Sequence, residues 1–205
     1  THVEGNVWQV VLPNSFFGEY NPYQDVLHGD WLVVPREHWH HPGDVYLNGK
    51  SLYEARTLEE VKNPVMRRDG HAQPWIKQRE PLLHPEDSLY QWCTFPQGDS
   101  TVICANFQGK DPNEELVEIQ VRPACFYPLQ PGCNYITVRG FEMAHAATPW
   151  SAATADQMGL IGPHWSKGWI IEHNEIHDSK SIGISLGKDA ATGHNPSTAA
   201  HRKSG

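Results

Sequence analysis

Between Asn134 and Gly187 the same short pattern of apolar residues occurs twice. An internal repeat constrains the architecture of a chain before any other feature does. Ile136, Val138, Phe141 and Met143 of the first copy fall on Trp169, Ile171, Asn174 and Ile176 of the second, at a separation of 33. Met158, Gly159 and Leu160 fall on Ile182, Gly183 and Ile184 at a separation of 24, so the first copy carries a loop longer by 9, over residues 145–156. Each copy reads as a strand, a tight bend, a second short strand, a loop and a third short strand. Alternate residues in the strands are apolar, the period of a half-buried strand. One such unit cannot bury its apolar face alone, so copies stack into a solenoid. With Gly or Asn at the bends, the unit reads as one coil of a right-handed parallel β-helix. Asn174 is expected in the inward bend, where its amide can bond backbone or the next coil. Two coils fall short of the three or so repeats, with caps, that a solenoid needs. The expectation is therefore that this chain is a piece of a longer polypeptide.

The residues before the repeat carry a different signal. Val7–Leu12 alternates with both faces partly apolar, a strand buried on two sides or the last edge of a preceding structure. Residues 16–30 are aromatic and broken by Gly, Asn and Pro, as in a packed loop, and Trp31–Val34 reads as a short strand. Val45–Leu47 and Ser51–Tyr53 flank Asn48-Gly49, the dipeptide of a type I′ β-hairpin turn. Thr57 and Glu60 have capping-box spacing ahead of a short helix. Residues 64–87 form a polar, Pro-interrupted excursion. Leu89–Phe95 and Thr101–Phe107 read as strands joined by Pro-Gln-Gly-Asp, Leu116–Val121 as a strand with Glu118 and Gln120 outward, and Phe126–Gly132 as linker. Short strands separated by turns favour a β-sandwich. The predicted organisation is all-β: a flanking sandwich over residues 1–131, with the solenoid as the alternative home of its first strand, and the first right-handed parallel β-helix coils over 132–205.

Composition removes several functions. The net charge is −8 with no long basic run, so nucleic acid is not the expected partner. No apolar run approaches the roughly 18 residues of a membrane helix, so no membrane partner is expected. The four Cys show no C-x-x-C spacing, which argues against a zinc knuckle or redox motif. Reduced thiols, and with them a cytoplasmic location, are the simplest reading, with Cys125 and Cys133 as the pair that an oxidising compartment would join. His38 and His40 in REHWHH would share a strand face, a spacing able to grip a metal, yet no third ligand is implied and polar surface is the simpler reading. No metal or cofactor is expected. No GxGxxG, Walker loop, HExxH or GxSxG occurs in the residues before the repeat.

The block from Asn134 to Lys188, and above all HWSKGWIIEHNEI, resembles glycoside hydrolase family 120, the β-xylosidases. VWQVVLPNSFFGEYNPYQD, GDVYLNGKSLYE and WCTFPQGDSTVICANFQGKDPNEELVEIQVR are similar to the same family, so the resemblance covers nearly the whole chain in order. It implies a parallel β-helix interrupted near its start by a β-sandwich. It also implies release of xylose from the non-reducing end of xylo-oligosaccharides with retention, by an Asp nucleophile and a Glu acid/base. Those carboxylates lie on later coils of the family's fold, which places them beyond Gly205. Family members are homo-oligomeric, and the remaining coils would come from the rest of the polypeptide.

Retaining hydrolysis needs two carboxyl groups about 5–5.5 Å apart. Within the chain the candidates are Glu142 and Glu175, which align on neighbouring copies about 4.8 Å apart along a solenoid. An outward acidic ladder is the simpler reading of that pair. The more specific expectation is that the segment binds sugar. Trp150 and Trp165 lie in loops beside strand ends and offer aromatic platforms, while Gln157, His164 and His177 offer hydroxyl partners. Trp169, at an inward strand position, reads as core. Two rival readings share the scaffold: a polysaccharide lyase or epimerase, disfavoured by the lack of a tight Asp cluster for Ca²⁺, and a non-catalytic carbohydrate-binding or assembly module.

Overall fold

The computed structural model describes residues 1–27, 40–70, 78–151, 156–189 and 191–194. The expected strand Trp31–Val34 and His38 lie outside these residues. The regular structure is overwhelmingly strand, so the chain is all-β. It divides into two compact units, one of Thr1–Asp25 and Val34–Ile119, the other of Val26–Val33 and Gln120–Gly205.

The first unit contains β1 (His2–Glu4), β2 (Val7–Pro13), β3 (Val45–Leu47), β4 (Lys50–Ser51), β5 (Tyr53–Glu54), helix α1 (Leu58–Lys62), β6 (Gln91–Gln97), β7 (Ser100–Asn106) and β8 (Val117–Ile119). A five-stranded sheet has the order β1-β2-β7-β6-β5, and a three-stranded sheet the order β4-β3-β8. Asn48 and Gly49 both take positive φ, 52° and 78°, as a type I′ turn requires, and close the β3–β4 hairpin. The β6–β7 hairpin closes on Gly98 and Asp99 alone, with Gly98 at φ 57° in the first loop position of a II′-type turn. Pro96 and Gln97 thus belong to the strand and not to the turn. The expected strand Ser51–Tyr53 is split: β4 ends the hairpin, and β5 crosses to pair in parallel with β6.

Alternation assigns the faces of the five-stranded sheet. Val7, Cys93, Val102 and Cys104 pack under α1 with Ala55 and Val61. Thr57 caps the helix, its hydroxyl accepting from the Glu60 amide at 3.2 Å, while the Glu60 carboxylate takes the Arg56 amide at 2.8 Å. On the opposite face Trp92 is fully buried, and its indole N–H donates to Asp44 Oδ1 at 3.0 Å. Because α1 has only five residues, its face of the sheet is covered in part, and Val11 and Phe95 remain exposed beside the buried Val102. The first strand is therefore not buried on two sides, and it belongs to this unit rather than to the repeat. Gln120 is buried, not outward, and Glu118 is half-buried.

The second unit holds the repeat: β9 (Thr137–Arg139), β10 (Glu142–Met143), β11 (Ile170–Glu172) and β12 (Glu175–Ile176). The copies stack in parallel, Val138 on Ile171 and Met143 on Ile176, at the separation of 33 read from the sequence. Asn174 sits at the bend, accepting from the Phe141 amide at 3.0 Å and donating to the Val138 carbonyl at 2.8 Å. Between the copies lie Val138, Met143, Ala146, Leu160 and Ile161, with Ile136, Trp169, Ile171 and Ile176 packed against them. Trp169 is half-buried and anchors its N–H on the Cys133 carbonyl at 2.6 Å.

Two expectations are corrected in this unit. At the third strand Ile161 pairs with Ile184, a separation of 23 rather than 24, so the first copy's extra loop is one residue longer than expected. Phe126 is not linker: it pairs in parallel with Ile161, and the amides of Cys125 and Phe126 bond the Leu160 carbonyl at 2.8 and 3.1 Å.

Candidate functional site

The rung Phe126–Ile161–Ile184 aligns three segments at one level of the repeat. Tyr127, Gly162 and Ser185 come next in their segments, then the chain turns away through Pro128, Pro163 and Leu186. A Cβ on Gly162 would lie 2.0 Å from the Ser185 carbonyl oxygen and 3.1 Å from the Tyr127 ring, so only glycine admits this approach. His164 and Trp165 then take left-handed φ values of 47° and 60°. The Trp165 amide fixes the turn by donating to the Leu186 carbonyl at 2.6 Å. Gly187 makes room for it: a Cβ there would meet His164 Cα at 2.8 Å and the Tyr127 hydroxyl at 2.9 Å.

The His164 ring stacks on Tyr127 with centroids 5.1 Å apart and planes at 27°. His164 Nδ1 is 2.8 Å from the Pro128 carbonyl. A carbonyl only accepts, so Nδ1 carries the proton and Nε2 is turned toward Asp156 Oδ2, 3.9 Å away. The Tyr127 hydroxyl donates to the Gln157 carbonyl at 3.5 Å. Burial pushes its phenol above the usual range, partly offset by a hydrogen bond with Ser185. Gln157 Nε2 donates to the Ser151 carbonyl at 3.2 Å. The result is a half-buried aromatic and imidazole surface with a carboxylate and an amide beside it, groups that suit the hydroxyls and apolar face of a sugar.

Of the residues singled out from sequence, Gln157 and His164 meet at Tyr127, and Trp165 follows His164 in the same turn. Trp150 is half-buried, one residue before the Ser151 that receives the Gln157 amide. His177 is elsewhere: its Nδ1 is 2.7 Å from Asp178 and its Nε2 3.3 Å from Glu142. Those hydrogen bonds, from Asp178 first and Glu142 second, raise its pKa. Glu142 and Glu175 are register neighbours across β10 and β12, both exposed, and Glu142 is engaged by His177. Sequence reasoning missed Tyr127, Asp156 and Ser185. The signal for Tyr127 was present: Phe126-Tyr127-Pro128 parallels Ile161-Gly162-Pro163.

In the first unit His40 and His41 both turn Nδ1 to Glu54, at 2.8 and 2.6 Å. Burial alone would raise the Glu54 pKa, but the hydrogen bonds of His40 and His41 and their charge bring it down to about 2. His40 thus binds a carboxylate, and no cluster able to hold a metal occurs among the described residues.

Residues 1–119 match the family model of the glycoside hydrolase 120 insertion domain, ending where the first compact unit ends. A solved structure of XylC in complex with xylose is similar over 99% of this chain, at 54% identity and a TM-score of 0.87. The chain spans 32% of that XylC chain. No curated protein matches. A family match over more than half of the residues, and a likeness at this identity over nearly all of them, lead to one statement: the chain belongs to glycoside hydrolase family 120.

Proposed function

We propose that this chain is the flanking β-sandwich and the first coils of a right-handed parallel β-helix in a retaining β-xylosidase, an enzyme that releases xylose from the non-reducing end of xylo-oligosaccharides. The observation that carries the reading is the 54% identity to a protein solved with xylose, together with the family match. The parallel stacking of the copies in register supports the β-helix, and the two sheets of the first unit support the sandwich. In this reading the chain supplies binding and scaffold. The catalytic Asp and Glu are assigned to no residue here, because Glu142 and Glu175 lie exposed on an open strand pair. Trp165 offers its indole face to a xylose ring, and His164 and Gln157 bond its hydroxyls. The enzyme works as a cytoplasmic homo-oligomer; light scattering of the purified protein tests the oligomeric state, and cell fractionation tests the location.

The experiment uses the whole enzyme that contains this segment, with xylobiose and an aryl β-xyloside as substrates. Trp165→Ala is expected to raise KM for xylobiose several-fold with kcat little changed, as loss of uniform binding does. An unchanged KM removes Trp165 from the site. Turnover of the aryl xyloside by the 205-residue chain alone would overturn the assignment of the carboxylates. Oligosaccharide binding by a whole enzyme that never turns over would favour a non-catalytic carbohydrate module.

A further inference from the structure

We infer that Cys93 and Cys104 form a cross-strand dithiol that closes to a disulfide by exchange with a small-molecule disulfide. The two residues are register partners on the antiparallel pair β6–β7. The Trp92 carbonyl is turned to β5, where it accepts from Ala55 at 2.7 Å, so the backbone of Cys93 is turned to β7 and exchanges both hydrogen bonds with Cys104. Pairs of this kind have Cα atoms about 5.5 Å apart. That is within the commonest separation for disulfides. Both side chains are on the face under α1 and both are buried, and the Cys104 thiol donates to Gln9 Oε1 at 3.9 Å. The neighbouring Cys93 thiol lowers the Cys104 pKa, burial opposes it and the Lys62 ammonium lowers it further, so Cys104 is the attacking sulfur.

A buried cysteine ordinarily acts as a small apolar side chain. What separates this pair from that reading is that the two cysteines are register partners on one buried face of the sheet. By contrast, Cys125 and Cys133 bond separate carbonyls, of Ala144 at 3.5 Å and of Gln130 at 3.7 Å. In the exchange the Cys104 thiolate attacks one sulfur of oxidised glutathione, forming a mixed disulfide and releasing one glutathione thiolate. Cys93 then attacks the Cys104 sulfur and releases the second. The two protein thiols are oxidised, one small disulfide is reduced, and the two thiol protons end on the two glutathione molecules. Both sulfurs are buried, so the exchange requires α1, a five-residue helix capped by Thr57, to open.

The test uses the whole 205-residue chain carrying Cys125→Ser and Cys133→Ser, which removes the thiols outside the core. The folded protein is incubated with oxidised glutathione, quenched in acid, unfolded, alkylated and mapped by mass spectrometry. The expected product joins the Cys93 and Cys104 peptides, resists alkylation at both, and reverts with dithiothreitol. In the same background Cys93→Ala is expected to leave glutathione on Cys104. Alkylation of both cysteines after folded incubation, with oxidation appearing only in urea, would overturn the inference. So would glutathione retained on both residues in place of the link.

Discussion

Replacing Asn174 by Ala tests the stacking of the repeat at one side chain. Its carboxamide makes two bonds to the preceding copy: Oδ1 accepts from the Phe141 amide at 3.0 Å, and Nδ2 donates to the Val138 carbonyl at 2.8 Å. Each is worth about 0.5–1.5 kcal/mol net, so their loss costs about 1–3 kcal/mol. The cost is local, because β9–β11 and β10–β12 are short pairs of three and two rungs. Amide hydrogen exchange at Phe141 reads it directly. A loss of 1.4 kcal/mol is about tenfold in an opening equilibrium, so protection at Phe141 should fall by about fivefold to over a hundredfold. Asn174→Asp separates the two bonds. A carboxylate still accepts from Phe141 but places an oxygen against the Val138 carbonyl, so it should be no more stable than Asn174→Ala above the carboxylate pKa. If Asn174→Ala leaves both urea unfolding and Phe141 exchange within about 0.3 kcal/mol of the parent, the bend is not held by this side chain and the reasoning fails.

Gly162→Ala puts a Cβ 2.0 Å from the Ser185 carbonyl oxygen and is expected to destabilise the chain by about 3 kcal/mol in thermal unfolding. Gly183→Ala is the control, since its Cβ meets only the Ile176 Cγ2 at 3.7 Å, and it should fall within about 0.5 kcal/mol of the parent. Glu54 has its pKa lowered from 4.5 to about 2. A depressed carboxylate contributes stability above its unfolded value and loses it as pH falls through the folded one, so about 3 kcal/mol should disappear between pH 4.5 and 2. Glu54→Gln should flatten that limb of a stability–pH curve measured by denaturant titration, and a limb of unchanged slope would refute the assignment.

Local chemistry was readable where it acts within a few residues. Asn48-Gly49 dictated its turn because few residues other than Gly and Asn accept two successive positive φ values, and Thr57 found the Glu60 amide because a cap is a short-range bond. The separation of 33 was readable because two full strands and a bend carry it. The separation of 23 was misread by one because a single isolated pair, Ile161 on Ile184, fixes it after a loop of unequal length. Gln120 was misplaced because alternation continued past the end of the strand at Ile119, where the chain passes into the second unit.

The repeat also explains why the candidate site was only half visible. An alignment of copies rewards positions that agree, and the site is built where they disagree. Phe126, Ile161 and Ile184 agree in being apolar and form the rung. The next residues are Tyr127, Gly162 and Ser185, as different as side chains can be. The absent side chain of Gly162 leaves the middle layer open, and the Tyr127 ring lies 3.1 Å from where its Cβ would stand while the Tyr127 hydroxyl reaches the Gln157 carbonyl. The Tyr127 ring is the surface on which His164 stacks, and Gly187 leaves the room that the stack needs. A single methyl group at Gly162 or Gly187 would part these residues while leaving every strand pattern intact. The apolar agreement of the copies builds the scaffold, and their disagreement at one rung shapes the surface offered to a ligand.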